Sequence, residues 1–122
     1  RTLGVDDQLT MRSLVRASLQ QIGMRDIEEA PDGEAALRSL LAQPVHLVIS
    51  DFNMPNLDGL SLLRAIRAHP PLSKTAFIML TGRADRELVQ RAVQFGVNNY
   101  LVKPFTTAQL KEKLEAVFGP LT

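Results

Sequence analysis

Short apolar runs alternate along the chain with longer stretches in which apolar residues recur every three or four positions. The clearest run is Leu47-Val48-Ile49, which continues through Ser50 and stops at Asp51. Short runs rich in β-branched residues predict buried strands, whereas the three-to-four spacing predicts amphipathic helices. The pattern therefore predicts strands and helices in alternation, with Asp51 placed where a buried strand ends.

Five apolar runs predict strands, at residues 2–5, 27–30, 46–51, 76–80 and 99–102. A helix is predicted after each strand, and the apolar faces of the five helices are Met11, Leu14, Val15, Leu19 and Ile22; Ala36, Leu37, Leu40 and Leu41; Leu60, Leu63 and Ile66; Leu88, Val89, Ala92 and Val93; and Leu110, Leu114, Val117 and Phe118. This alternation predicts an α/β fold: one doubly wound parallel sheet with right-handed crossovers and helices on both faces.

Composition narrows the class of protein. The chain has 122 residues, enough for one domain (1–122), and its 45% hydrophobic and 22% charged residues are ordinary for a globular protein. A net charge of +1 without a basic run argues against direct nucleic-acid binding. The absence of cysteine excludes a disulfide framework. No apolar stretch is long enough to span a membrane and no signal peptide is visible, so the expected location is the cytoplasm.

Polar side chains follow four of the predicted strands. Asp6 and Asp7 follow the first strand, Asp51 ends the third, Thr81 follows the fourth and Lys103 follows the fifth. These residues should converge, because the carboxyl ends of parallel strands lie along one edge of a sheet.

Three clustered carboxylates repel one another unless a cation lies between them, and an oxygen-only ligand set suits Mg²⁺. An ionised aspartate is a known type of covalent phosphoryl acceptor. The hypothesis is that Asp51 accepts a phosphoryl group, that Asp6 and Asp7 hold Mg²⁺, and that Thr81 and Lys103 contact the new charge.

Each residue also has an ordinary structural interpretation. Asp7 could cap the first helix, and Asp51 to Pro55 could form only an Asx turn. Thr81 could belong to a simple turn, and Lys103 could be a solvated surface lysine. Their joint placement at strand ends favours the functional hypothesis over these alternatives.

The motifs together resemble the receiver domain of two-component response regulators over essentially the whole chain. They are Val5-Asp6-Asp7, the segment 51–59, Leu80-Thr81-Gly82 and Lys103-Pro104-Phe105. Met11-Arg12 and Glu28-Glu29-Ala30 add a closer similarity to single-domain chemotaxis response regulators. The resemblance implies the strand order 2-1-3-4-5 and a cis peptide bond between Lys103 and Pro104.

The resemblance also implies a chemical role for each site residue. Asp51 would receive its phosphoryl group from a histidine kinase in a Mg²⁺-dependent reaction. Asp7, Asp51 and the main-chain carbonyl of Asn53 would bind the metal directly, and Asp6 would act mainly through water. The chain would be a phosphoacceptor switch and not an enzyme, beyond slow self-dephosphorylation.

An output surface is implied as well. Phosphorylation would draw Thr81 inward and move Tyr100 from an outward to an inward rotamer, which changes the face formed by the fourth helix, fifth strand and fifth helix. Five positions resemble those that contact a flagellar motor switch protein: Ala84, Val89, Tyr100, Val102 and Lys113. The expected partners are a histidine kinase, that motor protein and a candidate phosphatase, with the chain itself a monomer.

Three positions depart from the pattern of the chemotaxis proteins. Gly4 replaces a branched apolar residue, which should weaken the first strand. Arg83 replaces an acidic residue near the phosphoryl site, which leaves the dephosphorylation rate and the response to a phosphatase open. Phe52 replaces tryptophan, so tryptophan fluorescence cannot report metal binding.

Other functions stay in competition. The chain could be the receiver of a larger regulator with a DNA-binding or enzymatic output, or a phosphorelay intermediate. An aspartyl-phosphate phosphatase is disfavoured, because such enzymes usually carry a second carboxylate where Asn53 stands, together with a substrate cap. A nucleotide-binding enzyme is disfavoured by the lack of a glycine-rich fingerprint after the first strand.

Overall fold

Strands and helices alternate in the computed structural model as the sequence predicts, and the structure describes residues 1–82 and 86–120. The strands are β1 (Thr2–Val5), β2 (Ile27–Ala30), β3 (Leu47–Asp51), β4 (Ala76–Thr81) and β5 (Asn99–Val102). The helices are α1 (Leu9–Ile22), α2 (Gly33–Ala42), α3 (Gly59–Ala68), α4 (Arg86–Gln94) and α5 (Thr107–Phe118), with a 3-10 turn at Pro70–Leu72.

The five strands form one parallel sheet in the order β2-β1-β3-β4-β5, which confirms the implied order. At the centre of the sheet, Ile49 of β3 lies between Gly4 of β1 and Ile78 of β4. The chain reverses its direction across the sheet between β1 and β3, and such a switch point opens a crevice at the carboxyl ends of the strands. The predicted polar residues lie at that edge.

Successive strand residues point to opposite faces, and each face packs against its own helices. On one face, Val48 and Phe77 belong to a buried cluster with residues of α2, α3 and α4. On the other, Ile49 and Ile78 pack with residues of α1 and α5, among them Leu110. The sheet is thus covered on both sides, as its nearly continuous apolar strands require.

The predicted helix faces were too wide. Leu14, Leu41, Val93 and Phe118 were expected to be buried, but they are 41%, 53%, 62% and 47% exposed. A helix lying on a sheet covers only a narrow stripe, and apolar residues beside that stripe remain in solvent. In α1 the small polar Ser18 takes a buried place instead, where its Oγ accepts a hydrogen bond from Thr107 Oγ1 of α5.

Side-chain caps begin α3 and α5. Asp58 caps α3 by accepting a hydrogen bond from the Ser61 amide at 2.8 Å, and Thr106 forms a capping box with Gln109 at the start of α5. Asp85, which the sequence favours as the cap of α4, lies outside the described residues. The Lys103–Pro104 peptide bond is cis, as the resemblance implied. Within residues 1–82 and 86–120, no helix has the length and apolar character that a membrane crossing needs.

Candidate functional site

The carboxyl ends of β3, β4 and β5 border a cleft of about 720 Å³. Its lining includes five of the predicted site residues: Asp7, Asp51, Asn53, Thr81 and Lys103. Asp51 and Thr81 are buried at the ends of their strands, whereas Asn53 is exposed in the loop after β3. The structure therefore brings together residues that the sequence separates by almost a hundred positions.

Three carboxylates meet at this edge. Asp6, Asp7 and Asp51 each offer an oxygen, and the three oxygens lie within 4.8 Å of one another. Asp6 and Asp51 are buried, whereas Asp7 is exposed. The cap of α1 is Gln8, so Asp7 is not the helix cap that the alternative interpretation assigned to it.

Asp6 provides the strongest indication of a cation. Its Oδ1 accepts a hydrogen bond from the Gln8 amide at 2.9 Å, but its buried Oδ2 has no hydrogen-bond partner among the described residues. A buried carboxylate oxygen without a donor is costly unless a cation satisfies it. Clustered hard oxygen donors with one such oxygen fit Mg²⁺.

Lys103 supplies the ammonium group. Its Nζ lies 2.8 Å from Asp51 Oδ1 and 3.9 Å from Asp6 Oδ2. One ammonium does not balance three carboxylates. Burial raises the pKa of the Asp6 carboxyl; the Asp51 charge adds to this rise, whereas the Gln8 amide and Lys103 oppose it. The site therefore has an excess of negative charge that favours a bound cation.

The backbone of Gly59 packs closely against the main chain of Asp51. A Cβ on Gly59, the first residue of α3, would lie 2.4 Å from the Asp51 carbonyl oxygen and 2.8 Å from Met79 Sδ. The Gly59 amide donates to the Phe52 carbonyl at 2.8 Å. Only glycine fits here. The sequence does not reveal this role, because an Asp-Gly pair is also an ordinary turn signal.

Other cleft residues also went unrecognised in the sequence. Gln8 fixes Asp6 through its main-chain amide, and Met54 and Leu88 line the cleft with apolar surface. Main-chain donors carry no side-chain signature. Apolar wall residues look like ordinary core positions, so a sequence pattern does not separate them.

The predicted output surface lies around β5. Val89 of α4 and Tyr100 and Val102 of β5 are half-buried, and Tyr100 packs against the cluster that includes α2, α3 and α4. Lys113 Nζ of α5 lies 5.3 Å from the centre of the Tyr100 ring. Ala84, like Arg83, lies outside the described residues.

Comparisons with known proteins agree with this geometry. Residues 3–115 match the family described as "Response regulator receiver domain". The chain is 52% identical over 121 residues to a probable chemotaxis protein CheY of Rhizobium etli, covering 99% of this chain and 94% of that protein.

Two solved structures are also similar. Chemotaxis protein CheY4 of Vibrio cholerae superposes with a TM-score of 0.88 at 34% identity, covering 95% of this chain and 96% of that chain. The receiver domain of a sensor histidine kinase from Pseudomonas aeruginosa, whose active-site cleft holds a magnesium ion, gives a TM-score of 0.86 at 33% identity and covers 98% and 97%. With its strand-end aspartates, threonine and lysine in one cleft, the chain belongs to the response regulator receiver domain family and resembles the CheY chemotaxis proteins within it.

Proposed function

We propose that this protein is a phosphorylation-activated switch, in which Asp51 accepts a phosphoryl group from a histidine kinase. The observation that supports this most directly is the 2.8 Å contact between Lys103 Nζ and the buried Asp51, inside a cleft that two further carboxylates border. This arrangement supplies a fixed nucleophile and a fixed cation, the two protein components that phosphoryl transfer needs most.

In the proposed reaction an Asp51 carboxylate oxygen forms a bond to phosphorus while the phosphorus–nitrogen bond of a phosphohistidine breaks. The electron pair of that bond leaves with the imidazole of the donor. Lys103 stays beside the acceptor as a point charge for a phosphoryl oxygen. Thr81, buried at the end of β4, donates its hydroxyl to another.

The proposed metal is Mg²⁺. Asp7, Asp51 and the main-chain carbonyl of Asn53 would hold it directly, and Asp6 would act through water. When bound, the ion supplies positive charge that neutralises the phosphoryl oxygens. The solved Pseudomonas aeruginosa receiver domain with magnesium in its cleft supports this choice of metal.

The proposed output is partner binding by the face of α4, β5 and α5, with the shift of Thr81 and Tyr100 as the switch. The contact between Lys113 and Tyr100 places a charged and an aromatic group side by side on that face. The similarity to chemotaxis proteins makes a flagellar motor switch protein the proposed partner. The protein acts as a phosphoacceptor switch in the cytoplasm and not as an enzyme.

A second candidate keeps the chemistry and changes the output. The similar receiver domain from Pseudomonas aeruginosa belongs to a sensor histidine kinase. The chain would then pass its phosphoryl group to a second histidine-containing protein or control an attached domain. Transfer of label from Asp51 to such a protein would distinguish a relay from a terminal switch.

The test is incubation with a small phosphodonor and Mg²⁺, followed by intact-protein mass measurement. We expect the wild-type protein to gain one phosphoryl group, Asp51→Asn to gain none, and addition of EDTA to prevent the reaction. Asp58→Asn is the matched control, because Asp58 caps α3 at the end of the same loop and asparagine also caps helices. Equal phosphorylation of wild type and Asp51→Asn would overturn the proposal.

A further inference from the structure

Asp6 is held from several sides. Its amide donates to the Ala30 carbonyl of β2 at 3.2 Å, and its Oδ1 accepts from the Gln8 amide at 2.9 Å. Its main-chain carbonyl accepts a hydrogen bond from Arg12 Nη1 at 2.7 Å. The oxygen without a hydrogen bond in the described structure is Oδ2, the one that faces Lys103 at 3.9 Å.

Arg12 reaches the acidic turn from the first helical turns of α1. Its side chain is only 16% exposed, and its Nε lies 3.3 Å from Glu29 Oε1 of β2. One guanidinium therefore links α1, the edge strand β2 and the carbonyl of Asp6. The planar group presents several donors in fixed directions, so a single side chain can hold both partners.

We propose that Arg12 is a positioning residue for the divalent-cation site, because it fixes the peptide that joins Asp6 to Asp7. A peptide unit is planar, so a donor that fixes the Asp6 carbonyl also fixes the Asp7 amide. Both carboxylates then leave the backbone in defined directions. This inference rests on the proposed function insofar as that function requires the cation.

The charge of Arg12 and its hydrogen bond to the Asp6 carbonyl predict opposite effects on Mg²⁺ affinity when Arg12 is replaced. Arg12→Gln removes a positive charge near the site, so electrostatics alone predicts that Mg²⁺ binds more tightly. Loss of the hydrogen bond frees the peptide between Asp6 and Asp7, and loss of a contact that orients metal ligands typically weakens affinity tenfold or more. The sign of the change therefore separates the two effects.

Arg16 provides a matched control. It lies one turn further along α1 and approaches the same carboxylate, with Nε 2.5 Å from Glu29 Oε2, but its other contact is the Ile27 carbonyl. Arg16→Gln makes the same change in charge without touching the acidic turn. We expect its Mg²⁺ dissociation constant to equal the wild-type value or to fall slightly.

The experiment is calorimetric titration of the unphosphorylated chain with MgCl₂ at constant ionic strength, with circular dichroism to confirm folding. We expect the dissociation constant to rise about tenfold in Arg12→Gln and to change little in Arg16→Gln. Arg12→Lys keeps the charge but lacks the planar guanidinium with its several donors, so it should also bind Mg²⁺ more weakly. This variant tests the role of Arg12 if Arg12→Gln does not fold.

The outcomes separate this inference from the proposed function. Failure of the wild-type chain to bind Mg²⁺ would overturn the proposed metal site and this inference with it. Wild-type binding with equal or tighter binding by the folded Arg12 variants would overturn the role of Arg12 alone. Equal weakening in the Arg12 and Arg16 variants would also overturn it, because the effect would then come from the contact between α1 and β2.

Discussion

The two edges of the sheet hold charged groups in opposite ways. At the amino ends of β4 and β5, Arg67 of α3 donates hydrogen bonds to the carbonyls of Ser73, Thr75 and Gly96 and to Asn98 Oδ1. These acceptors are neutral and come from two separate segments, one before β4 and one before β5. The cation is therefore satisfied within the chain, and it connects α3 to the starts of two strands.

At the carboxyl edge the opposite holds. Asp6, Asp7 and Asp51 lie around one ammonium, that of Lys103, and one buried carboxylate oxygen has no hydrogen bond within the described residues. Such a cluster costs folding free energy until a cation binds. At the amino ends of the strands the charged group is satisfied by hydrogen bonds, whereas at the carboxyl ends the excess of negative charge fits the proposed Mg²⁺.

The largest expected effect is a loss of stability on removal of the Arg67 side chain, which lies at the amino ends of the strands. Arg67→Ala removes the donors to three carbonyls and one amide oxygen, so we expect the free energy of unfolding to fall by about 2–4 kcal/mol. Mg²⁺ affinity should stay within about twofold of the wild-type value once folding is confirmed, because the two edges lie at opposite ends of the strands. Urea denaturation and calorimetric titration measure the two quantities.

Arg64→Ala is the control for that change. Arg64 lies on the same helix but is exposed, and its guanidinium carbon lies 4.8 Å from the centre of the Phe95 ring. A contact of this kind at an exposed site contributes about 0.5–1 kcal/mol. Equal losses from Arg64→Ala and Arg67→Ala would show that the hydrogen bonds of Arg67 have no special weight.

The next largest expected effect is a gain in the stability of the chain. Asp6→Asn removes a desolvated carboxylate beside Asp51, so the Mg²⁺-free chain should become more stable at pH 7, by on the order of 1 kcal/mol. Asp7→Asn should gain less, because Asp7 is exposed. With saturating Mg²⁺ the wild-type chain should be more stable than Asp6→Asn, since binding stabilises the wild-type chain and Asp6→Asn lacks one carboxylate.

The stability advantage of Asp6→Asn should depend on pH, and the pKa of Asp6 gives the direction of this dependence. The pKa of Asp6 in the folded chain lies above its usual value of 3.8, so between the unfolded and folded pKa values the folded chain binds more protons. Wild-type stability therefore falls as pH rises through that window. The advantage of Asp6→Asn should be absent below pH 3.8 and full above the raised pKa, in denaturation measured without metal. An advantage that grew toward acid pH would contradict it.

The sequence predicted the site at the carboxyl ends of the strands better than the Arg67 contacts at the amino ends. Strand ends were visible as the points where apolar runs stop, so Asp6, Asp51, Thr81 and Lys103 were all placed at one edge. The order of the strands came from the resemblance, because an alternating pattern does not say which strands are neighbours. Nothing in the sequence marks Arg67, since an arginine at the end of a helix is usually solvated.

Packing explains the remaining errors. The apolar spacing predicted burial for Leu14 and Val93, but the width of the buried stripe depends on how each helix lies on the sheet, which no local pattern gives. In the sequence, Arg12 is marked only as part of the Met11-Arg12 motif. Its contact with the Asp6 carbonyl needs the main-chain direction at the end of β1, and that direction exists only in the folded chain.

The smallest expected effect tests whether stability can be raised away from both edges. Gly4 lies in the middle of β1, and a Cβ there would be 3.7 Å from Val15 Cγ1 and 3.8 Å from the Glu28 carbonyl oxygen, which are ordinary contacts. Glycine weakens strands, because it has more backbone freedom to lose on folding. Gly4→Ala should therefore stabilise the chain by about 0.5–1 kcal/mol in urea denaturation. Mg²⁺ affinity should not change, because the substitution leaves the contacts of Asp6 in place. A loss of stability would show that β1 has no room for the methyl group, and a changed affinity would show that the strand transmits packing changes to the acidic turn.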